Sequence, residues 1–169
     1  SPSEVEIKSQ IQFYTGMKTS EIQETLIKAA ADLINEETPN YQFVGGRLIN
    51  YALRKEVYDG YDPIHVRKLV VKNIERGFYD EELISHYSDE EWDKINGFIK
   101  HERDEQLTYV AMEQLRGKYL VQNRVTGEIF ETPQMCYILI AATLFHNYPV
   151  ETRLQYVKDY YDAISLHDI

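Results

Sequence analysis

The chain has 169 residues, 43% of them hydrophobic, enough for one sizeable core or two small helical units and too apolar for a disordered tail. Its 28 acidic side chains outnumber 18 basic ones for a formal charge of -10, which argues against nucleic acid or an anionic lipid surface as a partner. With Cys136 as the single cysteine, no internal disulfide framework is possible, and the chain reads as a protein of a reducing, cytoplasmic compartment.

Taken in order, Val5, Ile7, Ile11 and Phe13 predict a helix over 3–14. Thr19 or Ser20 is the expected cap of a second helix through Ile22, Leu26, Ile27, Ala30 and Leu33, which Pro39 separates from a third over 40–58. On that third helix Phe43, Val44, Leu48, Tyr51, Ala52 and Val57 are assigned to the inner side. The pair Gly45-Gly46 costs roughly 1 kcal/mol of helix propensity per glycine, and so marks a close approach. The loop "DGYDP" follows, with Asp62 as a cap and Pro63 in the first turn of a helix that stops at Gly77. This loop is the expected boundary between two units, 1–58 and 59–169.

Two short helices come next, capped by Asp80 and Ser88 and carrying glutamates in their first turns, where the helix dipole favours negative charge. A helix over 105–115 leads to "GKYLVQNRVTGEIFETPQ". There Val121, Val125, Ile129 and Phe130 flank a Thr126-Gly127 turn, which predicts a short β-hairpin in an otherwise helical chain. Thr132-Pro133 then opens an apolar helix over 134–145, and 150–166 closes with an amphipathic helix bearing Leu154, Val157, Tyr161 and Ile164. The longest uncharged run, 132–149, contains Gln134, His146 and Asn147 and is short for a membrane span, and no charged-then-apolar leader pattern opens the chain.

Catalytic patterns are scarce. The sequence has no Cys-x-x-Cys, no His-Glu-x-x-His, no helical Glu-x-x-His pairing and no phosphate loop followed by lysine, so neither a metal nor a P-loop site is expected. "KHERDE", 100–105, holds acid and base groups, but adjacent residues point around a helix, which makes a solvated face the expected role. Cys136 sits among apolar neighbours and is assigned to packing, as are the 14 tyrosines, spread over core and rim.

The stretches "IQFYTGMKTSEIQETLIKAAADLI", "PNYQFVGGRLINYALRKEVY", "KYLVQNRVTGEIFETPQ" and "NYPVETRLQYVKDYYDAIS" together resemble the N-terminal part of the large (alpha) subunit of class I, aerobic ribonucleoside-diphosphate reductase of bacteria and phages. The similarity runs in order over nearly the whole chain. It implies a mainly α fold: a bundle-like N-terminal helical domain with one short β-hairpin over 59–169, preceded over 1–58 by the helices of an ATP-cone without its opening strands. It also implies a parent enzyme that reduces ribonucleoside diphosphates to deoxyribonucleoside diphosphates for DNA synthesis, using a radical from a small (beta) di-iron subunit.

By the same resemblance, ATP or dATP would regulate activity through positions matching Thr19, Glu21, Gln23 and Lys55. Gln23 and Ala52 depart from the pattern, since close relatives often carry histidines there. Cys136 matches none of the family's redox or radical cysteines. The segment itself is therefore expected to hold no cofactor and to have no activity, with the catalytic barrel of the large subunit and the small subunit as partners. From the residues alone, the alternative is a free-standing helical module that binds a nucleotide or a protein.

Overall fold

The computed structural model describes residues 18–166, without the side chain of Thr19, and within them the chain is helical and has no strand. The helix expected over 3–14 lies outside the described residues. α1 (Thr19–Asp32) packs along α2 (Tyr41–Tyr58), and α3 (Val66–Glu75), α4 (Glu82–Ser85) and α5 (Asp89–Phe98) follow. A 3-10 segment (His101–Gln106) precedes α6 (Tyr109–Gln114), which runs into a π turn (Leu115–Tyr119), and α7 (Pro133–Phe145) and α8 (Val150–Leu166) pair at the end. Among the described residues no helix is long and apolar enough to cross a membrane.

Local chemistry sets most helix ends where the sequence placed them. Ser88 caps α5 by accepting the Glu91 N–H, while the Glu91 carboxylate accepts the Ser88 N–H, each at 3.1 Å. Gly77 ends α3 at φ 80°, which lets the Phe78 N–H reach back to the Asn73 carbonyl at 2.8 Å. Two starts differ. Lys18, one residue ahead of Thr19, is the cap of α1, and its N–H donates to Glu21 Oε2 at 3.1 Å. α3 begins only at Val66, because His65 rather than Asp62 supplies the cap: its Nδ1 accepts the Arg67 N–H at 3.0 Å and its Nε2 meets Asp93 at 2.9 Å.

On α2 the buried stripe is Tyr41, Gly45, Gly46, Ile49, Leu53 and Val57, rotated from the expected inner face so that Tyr51 is exposed. The glycines decide that rotation. A Cβ on Gly46 would collide with the Leu107 carbonyl oxygen and lie 3.0 Å from the Thr108 carbonyl carbon, so α2 sits directly on the backbone ahead of α6.

The two larger corrections concern 100–105 and 117–134. "KHERDE" is not a solvated helix face: it turns as a 3-10 segment that places Asp104 at 0% exposure, where its carboxylate accepts from Gln134 Nε2 at 2.8 Å. The expected β-hairpin reduces to one antiparallel bridge, Gln122 to Ile129, framed by Phe130 N–H to Val121 O at 2.9 Å and Asn123 N–H to Glu128 O at 2.8 Å. A ladder needs the reciprocal bonds as well. Instead the Val121 N–H donates to Glu131 at 2.9 Å and the Glu128 N–H to Thr126 Oγ1 at 3.3 Å, while the Ile129 N–H, which faces away from Gln122, donates to Glu56 on α2 at 2.9 Å. Side-chain oxygens have taken the donors that would have extended the strands.

One principal core runs through the molecule, with Trp92, Met112, Met135, Ile138, Val157 and Tyr161 fully enclosed. A smaller core of Ala29, Ala30 and Tyr41 lies between α1 and α2. α8 is tied to α5 by Arg153, whose guanidinium meets Glu91 at 2.7 Å and lies 4.5 Å from the centre of the Tyr87 ring.

Gly46→Ala is expected to destabilise the chain by about 2 kcal/mol, although alanine raises helix propensity by about 1 kcal/mol, because backbone on the far side has to move. Gly97→Ala in α5, where a Cβ meets nothing within 4 Å, should be neutral to stabilising. Urea unfolding of the two variants checks the contrast, and a Gly46→Ala protein as stable as the parent would refute the close approach.

Candidate functional site

Beside the small core between α1 and α2, the loop after α2 brings Tyr61 against Tyr51 and Gln23. The result is a pocket of about 510 Å³ lined by Gln23 and Leu26 of α1, Leu48 and Tyr51 of α2, and Tyr61. The Tyr51 and Tyr61 rings meet edge to face with centres 6.1 Å apart, and Gln23 Nε2 lies 3.5 Å from the Tyr61 hydroxyl. Arg54 holds the loop in place: its guanidinium donates to the Tyr61 carbonyl and the His101 carbonyl, each at 3.3 Å. The pocket thus offers two tyrosine walls with their hydroxyls, two aliphatic side chains and one amide. It suits a flat, largely apolar group and has no nucleophile or paired acid and base.

Other titratable groups are buried for packing. Burial pushes the Cys136 thiol far up, and the neighbouring Glu131 carboxyl adds to this, so the thiol stays protonated. Glu131 is itself raised by burial against the hydrogen bonds of Tyr79, Val121 N–H and Cys136. Around Asp104, Gln134 bridges to Tyr161, whose hydroxyl also accepts the Lys100 N–H at 2.9 Å. No group of three or more His, Cys, Asp or Glu able to hold a metal occurs among the described residues.

Comparison with known proteins bears on what such a helical chain belongs to. It is 54% identical to the ribonucleoside-diphosphate reductase 1 subunit alpha of Escherichia coli over 167 residues, which is 99% of this chain and 22% of that protein. It belongs to the ribonucleoside-diphosphate reductase alpha-subunit family. The ribonucleoside-diphosphate reductase 1 subunit alpha of Salmonella typhimurium is 53% identical over 100% of this chain and 22% of its own length, and the subunit alpha of Enterobacteria phage T4 is 44% identical over 91% and 20%. Residues 105–169 match the family model described as ribonucleotide reductase, all-alpha domain. The chain therefore spans about a fifth of the reductase subunits it matches. The resemblance read from the sequence holds.

Of the four positions that the reductase resemblance assigned to a nucleotide, the structure brings one into the pocket. Gln23 lines it. Lys55 lies one helical turn beyond Tyr51 on the exposed side of α2, outside the lining, and Glu21 is engaged at the start of α1 with the Lys18 N–H. Thr19 is the first helical residue of α1. Leu26, Leu48, Tyr51 and Tyr61 were not singled out as site residues. Tyr61 carried a readable signal, a lone aromatic between Gly60 and Asp62 in a polar loop, whereas Tyr51 was assigned to the interior.

The 3-10 segment gives this part of the fold its pH dependence. Burial raises Asp104 from 3.8 to about 7, opposed by the Gln134 hydrogen bond and by Arg54, so its contribution to stability is present below 3.8 and lost as pH rises through about 7. Burial, with Arg54 second, lowers His101 from 6.5 to about 4, so its contribution is present above 6.5 and lost as pH falls through about 4. Urea unfolding of Asp104→Asn should show a smaller loss of stability than the parent as pH rises from about 4 to about 7, with the loss on acidification due to His101 retained. Parallel profiles for the two proteins would refute the assignment.

Proposed function

We propose that the chain is the N-terminal regulatory and structural segment of a ribonucleoside-diphosphate reductase alpha subunit, and that it catalyses nothing by itself. The observation that carries this reading is 54% identity over 99% of the chain to a named reductase subunit, combined with a described fold whose single thiol is buried and protonated. The whole protein reduces ribonucleoside diphosphates to deoxyribonucleoside diphosphates in the cytoplasm, with the radical supplied by a di-iron small subunit and the substrate held by the part of the large subunit outside this chain. Residues 1–58 serve as the helical part of an ATP-cone, and 59–169 as the N-terminal helical domain.

In the cone, Thr19, Glu21, Gln23 and Lys55 form this chain's side of an ATP or dATP effector site. The Tyr51 and Tyr61 walls suit a base, and Lys55 provides positive charge beyond the rim for phosphates. A free-standing binding module is the poorer reading, because the identity to reductase subunits extends across the whole chain rather than only the pocket helices.

The reading is tested by placing the chain in the Escherichia coli subunit alpha instead of its matching segment. With the small subunit and reductant, the hybrid is expected to convert CDP to dCDP while the isolated chain gives none. A folded but inactive hybrid would refute the proposal, as would turnover by the isolated chain.

Binding of effector to the isolated chain should be too weak to see by melting. Among the described residues no cation lines the pocket, and a net charge of -10 opposes a polyphosphate. Binding at a hundredfold excess over the dissociation constant would stabilise the fold by about 2.7 kcal/mol. No appreciable shift in melting temperature is therefore expected with millimolar dATP and magnesium, and a saturable shift lost in Lys55→Ala would show that these residues suffice.

A further inference from the structure

α7 carries apolar side chains on all its faces, from Pro133 to Phe145, yet two of them reach solvent: Ile140 is 40% and Leu144 52% exposed. A helix apolar all round is built to be enclosed. On one side of Ile140 lies a groove of about 300 Å³, walled by Val110 of α6 and Tyr119 at the end of the π turn, themselves 60% and 64% exposed. On the other side lies a groove of about 530 Å³ that runs from Tyr119 to Leu144. Both have Cys136 in the floor and share Tyr119 and Ile140 as the ridge between them. They form one continuous strip. Among the described lining residues, Asp80 is the only exposed ionised side chain, and it stands in the larger groove.

We propose that this strip, centred on Ile140 and flanked by Val110, Tyr119 and Leu144, is the face on which the remainder of the reductase alpha subunit packs. The inference rests on the reading of the chain as a segment of that subunit. Transient interfaces are about as polar as ordinary surface, whereas permanent ones resemble a core cut in half. A strip this poor in charge, and continuous with the principal core through Cys136, Tyr137 and Leu139, is of the second kind. The chain spans 22% of the Escherichia coli subunit alpha, so most of the surface that could close over the strip belongs to the same polypeptide. A second copy of the chain is the competing occupant, and it would leave the same strip open in the full subunit.

The test is a thiol footprint. Leu144→Cys, Val110→Cys and, as a control at the 95% exposed loop tip, Val125→Cys are made both in the 169-residue chain and in the hybrid with the Escherichia coli subunit. Maleimide modification is followed by peptide mass spectrometry. At Leu144→Cys and Val110→Cys the rate is expected to fall at least tenfold from chain to hybrid, and at Val125→Cys to stay within twofold. Equal rates at both strip positions in chain and hybrid overturn the proposal. So does protection that grows with concentration in the isolated chain, which assigns the strip to a second copy. Assay of CDP reduction by the unsubstituted hybrid separates the two claims: a protected strip in an inactive hybrid sinks the proposed function and leaves the docking face standing.

Discussion

The thirteen residues of α7 put apolar side chains on every side of that helix, and the rest of the fold encloses all of it except the side that carries Ile140 and Leu144. A buried helix still has to satisfy the polar groups at and near its ends. Before its start, the Phe130 carbonyl accepts from Asn73 of α3 at 2.9 Å and the Thr132 hydroxyl meets Tyr58 of α2 at 2.7 Å, while in its first turn Gln134 bonds Asp104 and Tyr161. Near its end the Ala142 carbonyl accepts from the Tyr87 hydroxyl at 2.6 Å. Each bond comes from a different element, so the helix fixes the positions of α2, α3, α8, the 3-10 segment and the turn ahead of α5 together.

The same demand explains the irregular passage before α7. Burial of Ile129, Phe130 and Glu131 brings backbone donors inside, and carboxylates from Glu56 and Glu131 reach them where a second strand would have done so in a sheet. Stacking of Phe130 on Phe78, with ring centres 3.9 Å apart, then locks the passage against the end of α3. One bridge is enough once side chains and packing supply the rest.

α2 links the two proposed units. Its exposed side forms a wall of the Gln23 pocket, and its glycine stripe lies on the backbone ahead of α6. Arg54, between these faces, bonds both the pocket loop and the 3-10 segment. A helix held this closely on one side can report little motion locally, so an effector acting at the pocket would have to displace α2 and the 3-10 segment as one body.

Sequence by itself determined the helical character and most helix ends, because caps and period are local properties. Gly77, Ser88 and the Gly45-Gly46 approach were legible for that reason, and the reductase resemblance was legible because it runs along the whole chain. Tertiary structure decided what depends on partners far away in the chain. Asp104 is buried against Gln134, thirty residues on, which gives it a hydrogen bond, and the outer edge of the passage before α7 is closed by Glu56, seventy-three residues earlier, which accepts the Ile129 N–H. The pocket has the same origin: Gln23 and Tyr61 are thirty-eight residues apart, and no spacing in the sequence states that a loop tyrosine closes over α1.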